Sequence, residues 1–188
     1  MKALFIIALA FAAVVRVNAA IIPFDLQGRS GVGMRFNNEN PTSASGSGTG
    51  GENGAGITYD NVSKLLTLNV GWGSGKGFTD LTGTVSAGHI HQAPDASFTS
   101  NGGVIISLDG TTPGFSNSST NGGWTNTTAT LTGAQETALL SGFLYLNAHT
   151  AANGGGEIRG NLIQAPEPSV IGLLGLGASG MLFRRRRA

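Results

Sequence analysis

Three histidines are the side chains in this sequence whose spacing most suggests metal or proton chemistry. His89 and His91 stand two apart in the alternating run GTVSAGHIHQ, residues 83–92, so on a strand both rings leave the same face. His149 closes a second alternating run, FLYLNAHT, in which Phe143, Tyr145, Asn147 and His149 share one side. With those strands close together, the three imidazoles become one mononuclear ligand set, leaving a position open for water or a substrate. Copper or zinc suits imidazole ligands. Glu157, on the following strand, is placed to accept a ring N–H behind the ligands. A plainer reading gives the same residues ordinary work, with the histidines hydrogen-bonded on their strands and Glu157 and Arg159 forming a surface ion pair.

The element that must position most of this cluster is a hairpin over residues 143–160. Its turn, AANGGG at 151–156, is built of residues that accept positive φ at little cost. A direct register sets Glu157 opposite His149 and Arg159 opposite Asn147. Upstream, short strands are expected at 21–26, where Pro23 marks an edge or a strand start, and at 32–36, 57–59 and 64–72. Further strands are expected at 83–92, 104–108 and 124–131. Residues 37–56 are low in complexity and read as a flexible surface loop. A short helix follows Thr132, whose spacing to Gln135 is that of a capping box, and Gly142 ends it. The sum is an all-β fold, an antiparallel sandwich or barrel of about eight or nine short strands with one short helix.

Composition narrows the chemistry. The 188 residues include 31 glycines and no cysteine, so no disulfide staples the fold and no thiolate attacks a substrate or holds a metal. The formal charge is +1, and the arginines at 184–187 supply four of the eleven basic residues, so the remainder is mildly acidic and carries no nucleic-acid footprint. The glycine-rich GWGSGKG at 71–77 lacks the strand-to-helix setting and the Lys-Ser/Thr ending of a phosphate loop. No Gly-x-Ser-x-Gly elbow is present, and the late carboxylates form no convincing glycosidase pair. No catalytic residue is assigned, and the expectation is a protein without enzymatic activity.

Both ends read as sorting signals around a domain of residues 20–165. Residues 1–19 have a basic start at Lys2, an apolar core and a small-residue cleavage site at Val17-Asn18-Ala19, the pattern that signal peptidase processes. Residues 166–188 have three parts: Pro166-Glu167-Pro168, an apolar run at 169–183, and Arg184, Arg185, Arg186 and Arg187. As a transmembrane helix the run is about 22 Å long, short of a bilayer core of roughly 30 Å, and the arginines hold its far end in the cytoplasm. This ending resembles the PEP-CTERM sorting signal of Gram-negative bacteria. The resemblance implies transient anchoring in the inner membrane, cleavage by an exosortase, and delivery to the cell surface or the exopolysaccharide matrix.

The domain resembles a family as well. AGHIH at 87–91 with GGVIISL at 102–108 resembles one half of a CHRD domain. The runs LYLNAHT at 144–150 and GEIRG at 156–160 resemble its other half. The low-complexity insertion and Gln92 depart from the family pattern. The resemblance implies an all-β extracellular domain, named from chordin, with no catalytic residues. The His-x-His strand also resembles that of Cu/Zn superoxide dismutase, but a dinuclear site of that type needs more histidines than the three present. The leading expectation is an exported, non-enzymatic protein with a structural or binding role, its partners being exopolysaccharide or matrix proteins. The alternative is a metalloprotein using His89, His91 and His149, with redox or hydrolytic activity. A third reading gives Trp72, Trp124 and Tyr145 to sugar stacking.

Overall fold

The computed structural model describes residues 20–36, 46 and 48–166. Period-two alternation and glycine-rich turns give twelve strands: β1 Ile21–Gly28, β2 Gly31–Val32, β3 Arg35–Phe36, β4 Gly50–Glu52, β5 Ile57–Asp60, β6 Leu65–Trp72, β7 Val85–Gln92, β8 Gly103–Ser107, β9 Phe115–Ser116, β10 Gly122–Thr130, β11 Leu144–Thr150 and β12 Asn153–Gln164. Nine form one curled antiparallel sheet, a half-barrel, in the order β8-β7-β11-β12-β1-β5-β6-β10-β9. The short β2, β3 and β4 pair with β1, β12 and β6. The all-β expectation is met.

One face of the curl carries the core. Ile90 of β7, Leu144, Leu146 and Ala148 of β11, and Ile158 and Leu162 of β12 alternate inward and are fully buried. Each such buried leucine or isoleucine contributes about 1.5–3 kcal/mol. Trp72 and Trp124 meet edge to face at 4.8 Å, and each indole N–H donates to a loop carbonyl, Ser118 O and Leu108 O respectively. Both are fully buried, as is Tyr145, so none of the three presents a face to a sugar. The stacking role given to them by sequence is overturned.

Among the described residues the one α-helix, α1 at Gly133–Leu140, has its capping box in place: Thr132 accepts from Gln135 N–H, and the Gln135 side chain accepts from Thr132 N–H. Gly142 then takes φ of 72° and turns the chain into β11. Pro23 lies near the start of β1, which runs between β12 and β5 and is no edge. The low-complexity stretch is not loop throughout. Gly50–Glu52 forms β4 against Gly71 and its neighbours on β6, and the Glu52 carboxylate accepts from Leu26 N–H. Gly50 and Gly51 fit because they have no side chain: a Cβ on Gly50 would lie 2.7 Å from Gly71 O. Residues 1–19, 37–45, 47 and 167–188 lie outside the described residues, and with them both terminal sorting segments except Pro166. Among the described residues no helix is long and apolar enough to cross a membrane.

Candidate metal centre

The site is built on β7 and β11, which pair with Tyr145 opposite His91, Asn147 opposite His89 and His149 opposite Ala87. Side chains directly opposite or two apart share a face, so His89, His91 and His149 collect on the side away from the core. Their ring nitrogens offer one ligand atom each, all within 4.8 Å of one another. Ligands about 2.0–2.1 Å from a tetrahedral ion stand about 3.3–3.4 Å apart, so closing the set takes side-chain shifts of about an ångström.

Two of the three rings are already oriented as ligands. His91 Nδ1 lies 2.9 Å from Gly102 O and His149 Nδ1 lies 3.0 Å from Gly154 O. A carbonyl only accepts, so both rings carry the proton on Nδ1 and present a bare Nε2. His91 Nε2 is buried with no hydrogen-bond partner, the kind of orphaned acceptor that a cation satisfies. His149 Nε2 is 2.9 Å from His89 Nδ1, which must therefore be the donor of that bond. Burial first, then the neighbouring charges of His149 and His91, hold the His89 ring below its ordinary value of 6.5, while Asp109 acts the other way. A ring that resists protonation keeps a lone pair for a metal.

Packing fixes the His91 plane. Tyr145 stacks on it at 4.8 Å and 11°, and the Arg159 guanidinium lies 3.5 Å from the Tyr145 ring centre on β12. Arg159 also donates to Ser100 O, Asn101 Oδ1 and Asn161 Oδ1, holding the loop before β8 to the sheet. Tyr145 Oη accepts from Gly102 N–H, whose own carbonyl receives the His91 proton. Asn147, opposite both His89 and Arg159, is fully buried with neither amide atom hydrogen-bonded.

The hairpin differs from the sequence expectation at its turn. Arg159 does face Asn147 and Ile158 faces Ala148, as a direct register requires, but the ladder then slips and Thr150 pairs with Asn153. The turn is only Ala151 and Ala152, and the glycines after it bulge within β12, with Gly156 at φ of 106°. The slip lies between Asn153 and Ile158, the stretch that holds Glu157. Its carboxylate instead accepts from Thr82 N–H at 2.8 Å, Thr82 Oγ1 at 2.6 Å, Thr150 Oγ1 at 2.7 Å and Asn153 Nδ2 at 3.2 Å. The acceptor behind His149 is Gly154 O. Glu157 and Arg159 are both buried, so neither belongs to a surface ion pair. Sequence reasoning missed the Thr82, Thr150 and Asn153 cage and the Tyr145–Arg159 stack. Only the shared alternation of Tyr145 with His149 hinted at the second.

The sequence matches the CHRD domain family over residues 27–162, more than half of the chain. This chain belongs to the CHRD domain family. The PEP-CTERM protein-sorting motif matches residues 164–187, immediately after the CHRD domain ends. Together they make this an exported, exosortase-sorted CHRD protein of a Gram-negative bacterium, with an exosortase as its processing partner. Neither a curated protein nor a solved structure matches the chain. The two matched regions coincide with the described β domain and with the tail whose first residues leave β12.

Proposed function

We propose that this CHRD domain is a non-enzymatic metal-binding module, carried to the cell surface or exopolysaccharide matrix, where it holds one copper or zinc ion through His89, His91 and His149. The observation that carries this reading is the convergence of three imidazole nitrogens within 4.8 Å, one of them buried and unpaired at His91 Nε2. Two protein carbonyls, of Gly102 and Gly154, supply the backing that metal-bound histidines require. Transient anchoring through residues 169–183, release near Pro166-Glu167-Pro168 and contact with matrix components complete the proposed route. The test is elemental analysis of the purified domain, followed by titration with zinc and with copper. One equivalent, lost in His91→Ala, supports the site. Ion-free protein that takes up neither metal removes it and returns the histidines to hydrogen bonding.

A further inference from the structure

The three rings are not equally ready. His91 and His149 already direct Nε2 at the site, whereas His89 faces it with Nδ1 and holds a proton there, donated to His149 Nε2. With the ring held as it stands, an ion on Nδ1 changes the His89 tautomer: Nδ1 gives its proton to solvent water, Nε2 takes one from solvent water, and the ring stays neutral. Something on the far side of the ring must then accept the Nε2 proton. Ser107 is the cross-strand partner of His89 on β8, so its side chain stands on the same face. Ser107 Oγ donates to Asp109 Oδ2 at 3.1 Å, and Thr111 Oγ1 to Asp109 Oδ1 at 3.3 Å. Leu108 N–H donates to Gly88 O at 2.7 Å, tying this loop against the residue before His89. The Asp109 carboxylate and the His89 ring act on each other electrostatically, each favouring the charged form of the other.

Resting on the metal-binding reading above, we infer that Asp109 is the positioning carboxylate of the site: it receives the Nε2–H of His89 and so frees the Nδ1 lone pair of that ring for the ion. Asp109 is not itself a ligand, since the convergent donor set among the described residues is the three histidines. Glu157 cannot take this part, being held by Thr82, Thr150 and Asn153. The arrangement makes His89 the ligand that switches, and the other two the ligands that wait.

The experiment is zinc titration of the wild-type domain, Asp109→Asn, Asp109→Glu and Thr111→Ala, with ring nitrogen-15 spectra of the histidines in ion-free and zinc-loaded protein. Asp109→Asn is expected to weaken zinc binding about 10–100-fold at unchanged stoichiometry. Asp109→Glu restores part of that loss, and Thr111→Ala, which removes one hydrogen bond to the carboxylate but keeps its charge, loses less affinity than Asp109→Asn. The His89 ring should carry its proton on Nδ1 without zinc and on Nε2 with it. Wild-type affinity in Asp109→Asn, or a zinc-loaded His89 still protonated on Nδ1, overturns the inference while leaving the three-histidine site standing. A wild-type domain that binds no zinc or copper overturns the site and the role of Asp109 with it.

Discussion

His89 Nδ1 and His149 Nε2 meet at 2.9 Å although their residues are 60 apart in the chain. Nothing local brings them together. The pairing of β7 with β11 does, and His91 is drawn in because it shares a strand face with His89. Four expectations follow from this geometry and from the buried polar groups around it.

Metal removal should be visible as lost stability. An ion present at 100 times its dissociation constant stabilises the folded state by about 2.7 kcal/mol. For a domain of this size that corresponds to a melting temperature higher by roughly 5–10 °C. Calorimetry before and after a chelator checks it, with His149→Ala as the variant in which chelator should make no difference.

Acid should destabilise the ion-free domain through His89. Its folded-state value lies below 6.5, mainly because of burial, so the unfolded chain takes up the proton first as pH falls. Stability is therefore full above about pH 6.5, declines as pH drops toward the lower folded value, and levels off beneath it. Asp60, Asp80, Asp109 and Glu136, whose values are lowered from 3.8 or 4.5, act only at more acid pH. Denaturant midpoints from pH 7.5 to 5 should slope less steeply in His89→Gln; equal slopes would assign the effect elsewhere.

Glu157→Gln should cost stability but not metal. The carboxylate accepts four hydrogen bonds from neutral donors, two of them hydroxyls. An amide in its place turns an NH2 group toward those donors, and hydrogen bonds to a charged acceptor are each worth about 1.5–3 kcal/mol. A loss of about 2–4 kcal/mol in urea unfolding, with zinc stoichiometry of one retained, is expected. A selective loss of zinc affinity would instead place Glu157 behind the histidines.

Gly88→Ala tests the packing beneath His89. A Cβ there would press into the Trp124 indole ring, which is fully buried and tied to Leu108 O. Overpacking of this kind costs about 1–3 kcal/mol. The near-ultraviolet circular dichroism of the tryptophans should change, and thermal melting should fall accordingly.

Much of the architecture was legible because strand alternation is local. The runs at 57–59, 64–72, 83–92 and 143–150 became β5, β6, β7 and β11 within a residue or two. The capping box at Thr132 was legible for the same reason, since its donors and acceptors lie within one turn. Gly50 and Gly51 were not, because a glycine strand has no alternation to read and is defined only by the backbone it lies against. Glu157 was misplaced because a bulge of glycines changes the register without changing the pattern that suggests one. Trp72 and Trp124 looked available for stacking because burial is a property of the sheet's curl, not of the residue.

The sequence by itself determined the class of fold, the family, the sorting signals and the identity of the three histidines, since each is written in short-range pattern or in residue type. Only the tertiary structure decided that His149 meets His89 and His91, that carbonyls of Gly102 and Gly154 orient two of the rings, and that Ser107, which donates to Asp109, lies across the ladder from the third. Those relations depend on which strands pair and where the ladder slips, and strand pairing is set by burying one continuous apolar face across the whole chain.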